Sequence, residues 1–223
     1  MIHMYYNEQV LAQSVDDAIL LSDEGDYSIW YKPYGMLCLG SKWSDHTTIN
    51  RFVETHLTPQ RPAFIVHRLD KATTGLLVIA HSKSAARALS QSFEDRKTQK
   101  HYQAVVHGDF RAHMNDADSI TINTEIGDKS AITHVHCVEY NQANHRSLLD
   151  IKIDTGRKHQ IRIHLSSIGF PIVGDRLHGK DESSIDDNDT KDLQLCSVYL
   201  QIPCPKTGEA MEYFIDDALK LTL

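Results

Sequence analysis

Cysteine is scarce, and the four present, Cys38, Cys137, Cys196 and Cys204, lie far apart with no C-x-x-C spacing. They exclude a disulfide frame and a cysteine-ligated zinc site, and they read as reduced, mostly buried thiols. Long apolar runs are also missing, as is a basic segment followed by an apolar stretch near the first residue. The chain is therefore expected in the cytoplasm, away from any membrane. Its 14 histidines include no H-E-x-x-H or similar pattern. His134 and His136 share one face of an expected strand without a third ligand, so no metal and no cofactor are expected. Positive charge is in deficit, with 23 Lys and Arg against 30 Asp and Glu and a net charge of −7. Taken as a whole, that balance argues against a nucleic-acid partner. There is no internal repeat and no interdomain linker.

A chain of this length can bury one substantial core and needs no staples to fold. Residues 1–17 have no clear period and are expected to form an N-terminal arm, with 18–223 a single domain and the protein a monomer. Much of the acid is gathered at Asp181, Glu182, Asp186, Asp187, Asp189 and Asp192, an expected mobile acidic loop at 180–192. The cations gather elsewhere, beside the stretches described next.

Two apolar runs, Phe64-Ile65-Val66 and Leu76-Leu77-Val78-Ile79-Ala80, flank a polar hinge that contains Asp70 and the turn residues Thr73-Thr74-Gly75. Each run has the length of a buried strand, which sets Asp70 at the mouth of a core. A carboxylate there is either half of a structural pair with Arg68 or an active-site group on a loop held by scaffold strands. Around it, a hairpin is expected from Ala18–Leu21 and Tyr27–Tyr31, a short helix over 47–57, and a helix capped by Ser82. A strand is expected over 99–108 with Tyr102, Ala104 and Val106 on one side. Further strands are expected over 120–126, 131–140, 146–154, 193–202 and 210–215. From Gln160 to Leu165 the apolar residues fit either a helix or a strand, and Gly169 followed by Pro171 favours the helix.

His67-Arg68-Leu69-Asp70-Lys71-Ala72-Thr73-Thr74-Gly75 resembles the H-R-L-D-x-x-T-S-G signature of the ribosomal large subunit pseudouridine synthase A (RluA) family, with Thr74 keeping the hydroxyl of the usual Ser. Lys32-Pro33-Tyr34-Gly35-Met36 resembles that family's K-P-x-G-M segment. The run from Leu89 to Gly108 is similar to its second motif, and Thr155-Gly156-Arg157-Lys158-His159-Gln160-Ile161-Arg162 through Gly174-Asp175 matches every fixed position of T-G-R-x-H-Q-I-R-x-H-L-x-x-x-G-x-P-I-x-G-D. Near the end, Cys196 and Cys204 stand where the family pattern has histidines.

The resemblance covers about residues 18 to 215 and implies an RNA pseudouridine synthase that lacks an S4-like extension. The implied fold is α+β, a mixed, mainly antiparallel sheet flanked by helices with a central active-site cleft. It implies Asp70 as the catalytic carboxylate, Tyr102 against the target base and Arg162 paired with Asp70. Arg68, Lys71, Lys100, Arg157 and Lys158 are the expected RNA-binding cations, and His67, Lys32, Gly75 and Gln160 the structural support. The partner would be a stem-loop of ribosomal or transfer RNA. A catalytically silent RNA-binding module and a base-excising glycosylase are the competing readings.

Overall fold

The computed structural model describes residues 17–40, 48–114, 118–179 and 192–223. Nearly all of the expected N-terminal arm, and the acidic loop apart from Asp192, lie outside the described residues. Ten strands form one sheet: β1 (Ile19–Asp23), β2 (Tyr27–Lys32), β3 (Phe64–Ile65), β4 (Thr74–Ala80), β5 (Gln99–His107), β6 (Ile120–Asn123), β7 (Ile132–Asn141), β8 (Arg146–Ile153), β9 (Leu195–Pro203) and β10 (Ala210–Phe214). The helices are α1 (Ile49–His56), α2 (Lys83–Glu94), α3 (Arg111–Met114) and α4 (Gln160–Ser167). Of these, the short α3 was not anticipated and falls in what reads as a polar connection.

The strand order is β1-β2-β4-β9-β5-β8-β7-β6, with β3 on β4 and β10 on β9. Among the described strands every pairing is antiparallel except that of β4 with β9, which pairs Thr74 with Cys196 and Gly75 with Ser197. This is the expected mixed, mainly antiparallel α+β sheet, and the short parallel seam joins its two halves. Ser197 is also the partner of Tyr102 on β5. Gly75, Ser197 and Tyr102 thus lie in one row across the middle of the molecule. A Cβ on Gly75 would stand 2.2 Å from the Ser197 carbonyl oxygen, and its φ is +103°. Only glycine lets the two strands approach so closely there.

β4 is an unbroken apolar run because both its faces are covered. Leu77 and Ile79 join a core with Ile49 and Val53 of α1, Tyr102, Ala104 and Val106 of β5, and Ile161 and Leu165 of α4. Leu76, Val78 and Ala80 join a second core with Ala85 and Leu89 of α2 and with Cys196, Val198 and Leu200 of β9. Ser82 caps α2, its side chain accepting from the Ala85 N–H. The ambiguous stretch from Gln160 is a helix, and its end shows why. Gly169, at φ +88°, lets its own N–H reach the Ser166 carbonyl and that of Phe170 reach Leu165. That pair of bonds is a Schellman stop, which a strand lacks.

Candidate active site

A cavity of about 580 Å³ opens at the centre of the sheet. Its walls come from the β3–β4 loop (Val66 to Thr73), the C-terminal end of α2 with the start of β5, and the segment from Ile153 into α4. Asp70, Tyr102 and Arg162, far apart in sequence, all line it.

The backbone on both sides of Asp70 is pinned. Leu69 donates its N–H to the Cys38 thiol and accepts from it through its carbonyl, both at 3.3 Å. The Lys71 carbonyl accepts from Lys32 Nζ at 3.2 Å and from the Gly35 N–H at 3.0 Å. Lys32 is fully buried and also donates to the carbonyls of Pro33 and Met36, each at 2.9 Å. Burial lowers its pKa to about 8, against the opposing pull of the nearby Cys38 and Asp70. The Asp70 side chain itself keeps 21% of its surface and faces the cleft.

His67 explains why the loop leaves β3 where it does. Its ring stacks on Phe93 with centroids 4.4 Å apart, and its Nε2 accepts from the Val78 N–H at 3.1 Å. Burial, helped by the charge of Lys100, brings its pKa to about 3. It is a neutral structural imidazole. Thr74 uses the hydroxyl that matters at its position, donating to the Leu195 carbonyl at 3.3 Å. Gln160 is satisfied at both ends. Its Oε1 accepts from Thr155 Oγ1 and the Arg157 N–H, and its Nε2 donates to the Ile132 carbonyl and Thr133 Oγ1.

Arg162 differs from expectation. Its guanidinium forks onto Asp175, Nε to Oδ2 at 2.8 Å and Nη2 to Oδ1 at 2.6 Å, instead of closing an ion pair with Asp70. Both partners are buried, at 8% and 1% exposure. Asp175 is well prepared for this duty, because its Oδ1 also accepts the N–H groups of Leu177 and His178. Burial pushes its carboxyl up, but the Arg162 bonds and the two backbone donors outweigh burial and hold it below the usual range. Asp70 still lies within electrostatic reach of Arg162 and adds to the upward shift that Asp175 produces there. The local Arg68–Asp70 pair is likewise absent among the described residues. The titratable side chain that Asp70 does meet is His159, at 3.7 Å.

Tyr102 has only 7% of its surface exposed, and that part faces the cleft. Burial first, and the Asp70 charge second, raise its phenol well above the ordinary value, against a hydrogen bond with Ser197. Of the expected RNA-binding cations, Arg68, Lys100, Arg157 and Lys158 line the cleft together with Arg96. Lys100 lies over the Phe93 ring at 5.8 Å, and Arg157 Nε donates to the Ser130 carbonyl. Lys71 is exposed outside the lining; what the fold uses of it is its carbonyl. Including Arg162, the walls carry six Lys or Arg residues against the acids Asp70, Glu94 and Asp154, so the cleft is locally basic on an acidic protein. Sequence reasoning missed the roles of Cys38, Asp175, His159 and His178. Asp175 and His159 stood in plain view as fixed motif positions, whereas no local pattern marks Cys38 or His178.

A family model described as RNA pseudouridylate synthase matches residues 26–167. An Aquifex aeolicus protein described as an uncharacterized RNA pseudouridine synthase is 32% identical over 230 residues, covering 93% of this chain and 72% of its own. Ribosomal large subunit pseudouridine synthase D of Borreliella burgdorferi is 30% identical over 187 residues, covering 74% of this chain and 56% of its own. Human RNA Pseudouridylate Synthase Domain Containing 1 has a like fold, with a TM-score of 0.75 at 23% identity over 92% of this chain and 85% of that one. The match of the family model over more than half of the chain, with the Aquifex protein alike across most of both chains, means that the chain belongs to the RNA pseudouridylate synthase family and so to the isomerases.

Proposed function

We propose that this protein converts uridine to pseudouridine in ribosomal or transfer RNA, working as a monomer in the cytoplasm with residues 18–223 as one catalytic domain and with neither metal nor cofactor. The observation that carries the reading is the convergence of Asp70, Tyr102 and Arg162 on one basic cleft of a size that admits a nucleotide. Both targets are supported by the names of relatives, one for the large ribosomal subunit and one for transfer RNA.

The reaction breaks the bond between N1 of uracil and C1′ of ribose, turns the base, joins C5 to C1′ and removes the proton from C5. A stacked uridine cannot reach Asp70, so it must flip out, which costs a few kcal/mol, roughly what one or two stacking and phosphate contacts return. Asp70 begins as a carboxylate, either attacking the sugar at C1′ or the base as nucleophile, or removing a ribose proton to give a glycal-type intermediate. Tyr102 stacks on the base and takes the C5 proton. Because burial and Asp70 keep its phenol protonated, it gives that proton to N1 of the uracil, which the broken bond leaves anionic, before it takes the one from C5. Arg162, fixed by Asp175, supplies positive potential beside Asp70 without closing on it. Arg68, Lys100, Arg157 and Lys158 hold the phosphates.

The test is release of tritium from C5-labelled uridine in transcripts of large-subunit ribosomal RNA and of transfer RNA. The unaltered chain should release it and Asp70→Asn should not, while both melt alike. Asp70→Asn at a wild-type rate would remove Asp70 from the chemistry.

A further inference from the structure

Two imidazoles run in file from the Asp70 carboxylate, His159 in the cleft wall and His178 next to it, and neither has a duty so far. His159 Nε2 is 3.7 Å from Asp70 Oδ2. The other nitrogen of that ring, Nδ1, is 3.0 Å from Nε2 of His178. The two rings meet edge to face with centroids 5.1 Å apart. His178 is anchored through its backbone N–H, which donates to the same Asp175 oxygen that receives Arg162. His159 occupies the N-cap position of α4, yet its side chain caps nothing. Its backbone is left-handed, at φ +55°. A histidine holds that conformation where its surroundings impose it, and such positions cluster at functional sites.

Two neutral imidazole nitrogens at 3.0 Å share one proton, so one ring donates and the other accepts. If His159 donated from Nδ1, its Nε2 would turn a lone pair toward the carboxylate and the contact would be repulsive. If His178 donates, His159 carries its proton on Nε2 and presents an N–H to Asp70. Only this second arrangement is attractive at both ends, so it sets the tautomer. Neutrality of His159 supports it: burial lowers its pKa, Asp70 opposes, and Arg162, His178 and Lys158 lower it further.

We propose that His159, locked in one tautomer by His178, is a positioning residue that aims the Asp70 carboxylate at the flipped nucleotide. At 3.7 Å the contact is too long for a hydrogen bond. A closing of about 1 Å as RNA fills the cleft makes it one, since catalytic contacts in empty sites commonly tighten on binding. The inference rests on Asp70 being the reacting carboxylate, as proposed above.

The experiment compares His159→Phe, His159→Gln, His178→Phe and Asp70→Asn in the full chain, by tritium release from the same two C5-labelled transcripts. His159→Phe should lower kcat about 10- to 100-fold with KM within about threefold, the signature of misplacement rather than lost binding. His159→Gln, which can still offer an N–H, should recover most of that loss. His178→Phe leaves His159 in place and removes its proton partner, and should lower kcat by about three- to tenfold. A kcat for His159→Phe within twofold of wild type, a change confined to KM, or a Gln variant no better than Phe would each overturn the inference. Should His159→Phe fail to fold in a thermal melt, His178→Phe decides, and its wild-type kcat would overturn the lock. An inactive Asp70→Asn beside wild-type-like histidine variants sinks this inference alone. An active Asp70→Asn, or no release by the unaltered chain from either transcript, sinks the reading of the site with it.

Discussion

The pairing of Arg162 with Asp175 makes the sharpest prediction, because the motif by itself would place Arg162 on Asp70. Asp175→Asn preserves shape and removes charge. The amide nitrogen must then face either the guanidinium Nε–H or the three donors on Oδ1, and Arg162 is left buried without a counter-charge. Breaking a buried pair by removing one partner costs about 3–5 kcal/mol. At roughly 2–4 °C per kcal/mol for a chain of this size, the melting temperature should fall by roughly 6–20 °C. Arg162→Met should cost a similar amount, and the double variant less than the sum, with a coupling of about 2–3 kcal/mol by urea unfolding. The effect should depend on pH. The Asp175 carboxyl is held below its unfolded value, so its contribution is present above about pH 4 and is lost as pH falls through the folded value. The Asn variant lacks that acid sensitivity. Turnover discriminates further: if Arg162 acted on Asp70 unaided, Asp175→Asn would keep its rate, whereas an Arg162 that depends on Asp175 should lose about tenfold or more. Additive single costs together with an unchanged rate would refute the pairing as the source of Arg162's placement.

Lys32→Met tests the buried ammonium under the catalytic loop. The folded pKa of about 8 lies below the unfolded value, so the folded state sheds its proton first and wild-type stability rises with pH between about 8 and 10.4. Relative to Lys32→Met, wild type should gain up to about 1.4 kcal/mol per pH unit across that window, and a flat difference in urea midpoints would count against it. Tyr102→Phe should leave RNA affinity near wild type and lower kcat by about 10²–10⁴-fold; an unchanged rate would leave stacking as its only duty. RNA affinity should fall steeply between low and moderate salt, because the cleft cations displace counterions, and each charge removed at Arg68, Lys100, Arg157 or Lys158 should reduce the slope by about one. A salt-independent affinity would discard the clamp.

Most elements were legible because the signals that make them are local. Alternation and continuous apolar runs give the strands, Ser82 starts α2, and Gly169 ends α4. The α3 turn escaped because four residues, Arg111 to Met114, are too few to carry a helical period. Asp70, Tyr102 and Arg162 were legible through motif spacing, and their meeting in one cleft follows from a row that joins Gly75, Ser197 and Tyr102 across three strands.

The sequence by itself determined where the chain turns, which residues it buries and that Asp70 sits on a loop between two core strands. Those are matters of short-range sterics and hydrophobic period. Only the tertiary structure decided which carboxylate takes the Arg162 fork, that Cys38 and Lys32 pin the backbone on either side of Asp70, and that His159 and then His178 run in file from it. Each of these is a contest among groups of the same chemistry, settled by ångström differences between segments distant in the chain. A carboxylate already holding two backbone N–H groups in a dry pocket outcompetes one left open to a cleft.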